Sequence, residues 1–250
     1  MVNFPPSVVI NGENDNVRYI VLSGQDLISS ALRKDGTFGS GIHHFCDVLL
    51  GDKPPGVVID AGCNLGSFAL PLAKRFPHHV FHCFDVQRLL VYHLSGSLVL
   101  NGMANVHTHH LGLSDENCWT EIRLPEYGAE CNAGALSLNR EVNEKYLFPA
   151  QSGSRSENVR IATLDSMEFD AVRMIKIDVE GLELQVLKGG LGTLRRNHYP
   201  PIIAEAWTNE WFRERRAELL GWLTGLGYQI KEWGDDCIAL HPAHGEMPAF

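Results

Sequence analysis

The sequence predicts an α/β fold whose core is a mostly parallel, seven-stranded sheet with helices on both faces. Three observations carry that prediction. Short apolar runs alternate with amphipathic stretches from Val57 onward, the pattern of strands buried on both faces and joined by crossover helices. The first run, Val57-Val-Ile-Asp60, passes into glycines and then a helical stretch. The last two runs, residues 228–233 and 237–240, leave no room for a helix between them and are expected to pair as a C-terminal antiparallel hairpin.

Taken in order, residues 7–10 and 17–22 are β-branched runs around the turn signal Asn11-Gly-Glu-Asn-Asp-Asn16, which reads as an N-terminal hairpin. Helical stretches over 25–34 and 42–50 follow, before Gly51-Asp-Lys-Pro-Pro-Gly56 interrupts the pattern. Residues 1–52 are therefore expected to form a hairpin-and-helix extension packed on a core domain of residues 53–250. Within that domain strands are expected at 57–60, 80–85, 106–113, 174–179, 202–207, 228–233 and 237–240. Helices with apolar residues at three and four spacing are expected at 65–75, 88–101, 182–195 and 210–226. An insertion at about 125–158, rich in Gly, Asn, Ser and Glu, breaks the rhythm. Such a length in a compact domain marks either a functional lid or a disordered excursion.

A chain of 250 residues suits one α/β domain with a substantial core. Its 44% hydrophobic and 20% charged content excludes low-complexity and disordered classes. The net charge of -9 opposes attraction to phosphate backbones and disfavours nucleic acid as a partner. Six cysteines, none in a CxxC pair, read as reduced thiols. The N-terminus has no basic, apolar leader, and no run of 18 apolar residues occurs. A cytoplasmic protein without membrane association is expected.

The sharpest chemical signal is Asp60-Ala-Gly62-Cys-Asn64-Leu-Gly66 at the end of the first core strand. Glycine there permits a tight reversal and close approach of a ligand to the backbone, and the following helix offers free N–H groups. The GxxxG spacing differs from the GxGxxG of dinucleotide-binding turns. An Asp in this turn repels phosphate and suits a ligand carrying an ammonium or sulfonium charge. The next strand ends at Asp85, 25 residues beyond Asp60, where an acidic side chain accepts hydrogen bonds from ribose hydroxyls; a helix N-cap is compatible with the same position.

These two signals, with Gly112-Leu-Ser114-Asp115 and Ile175-Lys-Ile-Asp178-Val-Glu180-Gly181-Leu-Glu183 in order, resemble the FkbM family of S-adenosylmethionine (SAM)-dependent methyltransferases over residues 57–207. The resemblance implies a Rossmann-like class I methyltransferase fold, SAM as cofactor, and O-methylation of a hydroxyl on a small-molecule acceptor such as a sugar or polyketide. Asp60, Gly62, Asn64 and Gly66 would line the methionine end of SAM, Asp85 would hold the ribose, and Ser114 and Asp115 would flank adenine. One departure is that the family usually has Glu followed by Pro where Asp85-Val86-Gln87 stands.

A hydroxyl acceptor must also lose its proton. Asp178 and Glu180 are the candidates for base or metal ligand, with Glu205 on the next strand as a neighbour, while Glu183 reads equally as a helix cap. A carboxylate-only site would be of the Mg²⁺ or Ca²⁺ type, but the sequence supplies no complete ligand set, so a divalent metal is compatible and not indicated. His43 and His44, just ahead of the core domain, are further catalytic candidates, His43 foremost. The aromatic cluster Trp207, Trp211, Phe212 and Trp222 reads as core packing. Two other classes stay open: a catalytically silent SAM-binding partner or sensor, and a nucleotide-dependent oxidoreductase, which the glycine spacing argues against.

Overall fold

A computed structural model describes residues 5–12, 16–127, 132–145 and 155–247. In chain order, β1 (Ser7–Asn11) and β2 (Arg18–Leu22) form the expected antiparallel hairpin; most of its turn, residues 13–15, lies outside the described residues. Then come α1 (Leu27–Asp35), α2 (His43–Leu50), β3 (Val57–Ala61), α3 (Ala69–Arg75), β4 (Val80–Asp85), α4 (Arg88–Asn101), β5 (Val106–His110) and β6 (Gly112–Leu113). After β7 (Cys118–Arg123) the chain passes through α5 (Arg140–Lys145), β8 (Ser156–Ala162), β9 (Val172–Ile177), α6 (Glu183–Lys188) and α7 (Leu191–Arg196). It ends with β10 (Ile202–Glu205), α8 (Arg213–Gly225), β11 (Gln229–Trp233) and β12 (Asp236–Leu240).

The central sheet has seven strands in the order β11-β12-β10-β9-β3-β4-β5. β3, β4, β5, β9 and β10 run parallel, and β12 is antiparallel to both β10 and β11. The antiparallel strand therefore lies one position in from the edge. Alternation along each strand feeds two cores. Val58, Phe81, Met174, Ile203 and Ile238 face the layer that includes Phe45, Leu70 and Leu90. Ile59, Phe84, Ile175, Ile202 and Ala239 face the layer that includes Leu187, Leu194 and Leu223.

The N-terminal hairpin docks on α4 through backbone satisfaction. Ser97 Oγ accepts from Ile20 N at 2.8 Å, and the Asn101 side chain accepts from Arg18 N at 2.9 Å while donating to Arg18 O at 2.6 Å. An otherwise unpaired strand edge is thus bonded by helix side chains.

Three departures from the sequence pattern matter for the site. The strand expected over 106–113 breaks at Leu111, and β6 joins β8 and β7 in a separate three-stranded sheet. β7 ends just before the insertion and β8 takes up its last residues from Ser156, the two strands pairing at its base; residues 128–131 and 146–154 lie outside the described residues. The helix expected over 182–195 is split at Gly189-Gly190, where a Cβ on Gly189 would stand 2.0 Å from the Ser114 carbonyl oxygen. No helix among the described residues is long and apolar enough to cross a membrane.

Candidate active site

At the end of β3 the chain reverses through Gly62, Asn64 and Gly66, with φ of 81°, 47° and 82°. Gly62 is required by crowding. Asp178 N donates to Ala61 O at 2.9 Å and draws the ends of β3 and β9 together, so a Cβ on Gly62 would stand 1.7 Å from the Asp178 carbonyl oxygen. Asp85, at the end of β4, organises the turn: one carboxylate oxygen accepts from Asn64 N at 2.9 Å and the other from Gln87 N at 2.8 Å. Each oxygen keeps a further lone pair. Burial pushes this carboxyl up to about 6, against the pull of those two N–H groups.

A cavity of about 470 Å³ runs over these strand ends, the usual ligand position in open parallel sheets. Over β3 and β4 its wall includes Gly62, Asn64, Asp85 and Gln87, with the apolar Val86, Leu111 and Leu113 beside them. The roof comes from Leu27, Phe38 and Ile42 of the N-terminal segment and from Asn132, Gly134 and Leu136 of the insertion. A buried network pins that roof: Ala133 N donates to Asp26 Oδ1 at 2.9 Å, Gln87 Nε2 donates to Ala133 O at 2.6 Å, and Tyr127 OH donates to Gln87 Oε1 at 2.8 Å.

Over β9, β10 and β12 the wall is acidic: Asp178, Glu180, Glu205, Asp235 and Asp236, with Lys176 as the one cation among the described lining residues. An oxygen from each of Asp178, Glu180 and Glu205 lies within 4.8 Å of the others. Glu205 and Asp236 stand directly opposite in the β10–β12 pair, a repulsive cross-strand arrangement. Burial raises the carboxyls of Glu180 and Glu205 well above the usual range, and Asp178 adds to this through its charge. Burial, then Asp178, brings Asp236 up to about 6. Lys176 Nζ lies 2.9 Å from Asp178 Oδ2 and 3.8 Å from Asp60 Oδ1. Burial alone would lower the pKa of this ammonium, but Asp178 and Asp60 raise it; it is charged. Glu180 has φ of 57°, in the left-handed region that a residue with a Cβ seldom adopts.

Of the residues singled out from sequence, Gly62, Asn64, Asp85, Asp178, Glu180 and Glu205 come together around the cavity. The others stand outside its lining. Asp60 is fully buried because it is the register partner of Lys176 across β3 and β9, so its charge is met by that lysine; burial pushes it up to about 6. Gly66 serves packing, since a Cβ there would meet Leu94 Cδ1 at 2.4 Å. Ser114 is carried away by β6, its N donating to Ala162 O at 3.0 Å, and Asp115 is exposed beyond it; Leu111 and Leu113 take the cavity position instead. His43 opens α2 with its ring 5.9 Å from that of Phe68, behind the wall that Ile42 provides. Glu183 holds the turn before α6, accepting from Val179 N at 3.1 Å and Gly181 N at 3.0 Å, and burial raises it to about 7.

Sequence reasoning missed Lys176, Gln87, Trp233, Asp235 and Asp236. Only Lys176 carried a local signal: a charge between Ile175 and Ile177 in a strand buried on both faces needs a partner.

The strand order, the glycine turn under Asp85 and the cavity at the strand ends define a Rossmann-like class I methyltransferase fold. The model of the FkbM methyltransferase domain matches residues 93–230, more than half of the chain, and the chain belongs to that family. The matched stretch begins within α4, so Gly62 and Asp85 precede it. Methyltransferase 1 of Beauveria bassiana (strain ARSEF 2860) is 21% identical over 143 residues, covering 53% of this chain and 57% of that protein. Among solved structures, methyltransferase FkbM from Methylobacillus flagellatus KT gives a TM-score of 0.49 at 17% identity, covering 74% of this chain and 43% of that one. Precorrin-6y C5,15-methyltransferase from Geobacter metallireducens GS-15 gives 0.46 at 11% identity, covering 82% and 93%. The match thus spans little more than half of the curated relative and less than half of the first of these structures.

Proposed function

We propose that this protein is a SAM-dependent methyltransferase that methylates a hydroxyl on a small-molecule acceptor such as a sugar or polyketide alcohol. The observation that carries the reading is a single cavity with a hydrogen-bonding carboxylate, Asp85, on one side and a cluster of raised carboxyls on the other. SAM, when bound, supplies an activated methyl group on a sulfonium. The residues present fit it. The spare lone pairs of Asp85 suit ribose hydroxyls, Val86, Leu111 and Leu113 offer an apolar slot for a base, and the acidic wall favours a positive charge over a phosphate.

Glu180 and Glu205 are the groups to take the acceptor proton, because a carboxyl raised by burial is a better base near neutral pH than an ordinary one. Lys176 holds Asp178 in place beside them. Holding two reactants in line then supplies most of the acceleration. The extension of residues 1–52 and the insertion would roof a core domain of residues 53–250. Unpaired thiols at Cys46, Cys63, Cys83, Cys118 and Cys237 accord with a cytoplasmic enzyme.

The test is calorimetric titration with SAM and with S-adenosylhomocysteine, each with and without Mg²⁺. Micromolar binding of both is expected, and binding of neither overturns the reading. A Mg²⁺-dependent gain would add a cation to Asp178, Glu180 and Glu205, an oxygen set of the kind that ion accepts.

A further inference from the structure

The insertion reaches the acidic side of the cavity as well as its roof. Ser137, nine-tenths or more buried, donates from Oγ to the Glu180 carbonyl oxygen at 2.5 Å, across 43 positions of sequence. The same Oγ accepts from Asn139 N at 3.0 Å, which leaves its single proton for Glu180. Asn143 clamps the backbone of Ser137 from both sides: its Oδ1 accepts from Ser137 N at 3.2 Å and its Nδ2 donates to Ser137 O at 2.6 Å. Val142 of the same segment lies against Gly181, where a Cβ would stand 2.9 Å from Val142 Cγ2.

Glu180 is where such support is needed. A left-handed backbone at a residue with a Cβ is strained and persists only where its surroundings hold it. Glu183 secures the N–H groups on either side, at Val179 and Gly181, but nothing in α6 secures the Glu180 carbonyl. Ser137 does. Relaxing Glu180 to an ordinary conformation would swing its carboxylate out of the group it forms with Asp178 and Glu205.

We propose that Ser137 is a positioning residue for the reaction, its hydroxyl holding the Glu180 peptide in the conformation that points the carboxylate into the cavity. This rests on the methyltransferase reading for its chemical meaning, but the conformational part can be measured without any ligand. It also gives the insertion a divided role, with Ala133 closing the roof near Asp85 and Ser137 setting the proton-accepting side.

The experiment compares the full chain with Ser137→Ala and Ser137→Thr, the second keeping a hydroxyl on Cβ. Amide hydrogen exchange of a peptide covering residues 178–183, without ligand, is expected to quicken about fivefold in Ser137→Ala and to return toward the parent rate in Ser137→Thr. The affinity for S-adenosylhomocysteine should stay within about twofold in both, since Ser137 does not line the cavity. With methyl α-glucoside and a set of simple polyketide alcohols as probe acceptors, release of S-adenosylhomocysteine should fall about 100-fold in kcat for Ser137→Ala, with KM for SAM unchanged and kcat recovered in Ser137→Thr. Parent-like exchange in Ser137→Ala, or equal behaviour of the Ala and Thr variants, overturns the proposal. If the parent fails to bind S-adenosylhomocysteine, the methyltransferase reading falls while the exchange result still decides the role of Ser137.

Discussion

The two sides of the cavity are built in opposite ways. Over β3 and β4, Gly62, Asn64, Asp85 and Gln87 come from two short stretches, and their hydrogen bonds join neighbours in adjacent strand ends. Over β9, β10 and the β11–β12 hairpin, Lys176, Asp178, Glu180, Glu205, Trp233 and Asp236 come from four strands and the turn after β9, and the conformation of one of them depends on Ser137 in a distant insertion. The first side can form as soon as β3 and β4 pair. The second requires β9, β10, the C-terminal hairpin and the insertion together, and holds several like charges at short range. Recognition of a shared cofactor suits the first construction, and selection among acceptors suits the second.

The largest perturbation should be one that unites the two sides in failure. Gly62→Arg must displace the Asp178 backbone, and it should lower stability by more than about 4 kcal/mol; urea unfolding with intact SAM binding in this variant would show that the ends of β3 and β9 are separable. Lys176→Met should cost about 3–5 kcal/mol by leaving buried Asp60 without a counter-charge, and adding Asp60→Asn should restore most of it in the same unfolding assay. Recovery would confine that loss to charge balance on the acidic side. Asp85→Ala should weaken SAM binding by about 2 kcal/mol, roughly 30-fold, read by calorimetry, with the acidic side untouched.

A pH titration sharpens the contrast further. Asp60 and Asp85 near 6 and Glu183 near 7 are all raised by burial. Protonation therefore favours the folded state: their contribution is complete below the ordinary carboxylate range and is lost progressively as pH rises from that range through 6 for Asp60 and Asp85 and through 7 for Glu183. Unfolding free energy should fall over that window, and Asp60→Asn should remove up to about 1.4 kcal/mol per pH unit of the slope below pH 6. The smallest effect belongs to Ser114→Ala and Asp115→Ala, which should shift SAM affinity by less than about twofold because neither lines the cavity; a larger loss would extend the cofactor side beyond Leu113.

The same contrast explains what could be read from sequence. All seven strands of the central sheet are legible as apolar runs, and the cavity-lining positions of Gly62, Asn64 and Asp85 follow from a turn and a strand end, features set within a few residues. Asp60 stands outside the cavity lining because its partner is Lys176, a pairing that only β3–β9 register makes visible. Ser114 and Asp115 stand outside the lining because β5 and β6 belong to different sheets, a break that periodicity does not register at Leu111. Ser137 and Gln87 leave no local trace: Ser137 acts on the Glu180 carbonyl, and Gln87 on the Ala133 carbonyl and the Tyr127 hydroxyl, partners that only folding brings to them.

The C-terminal hairpin turns at Gly234 and Asp235, with Trp233 and Asp236 paired across it, and three of these four residues, Trp233, Asp235 and Asp236, face the cavity. The tip is tied to the chain after β10, with Ala206 N donating to Asp235 O at 2.6 Å and Thr208 N donating to Asp235 Oδ1 at 2.8 Å, and it stands away from the strand ends that carry Asp85 and Gly62. Four consecutive codons therefore set three lining residues of the acidic side, and a library confined to residues 233–236 would vary that side while leaving Asp85 and Gly62 in place.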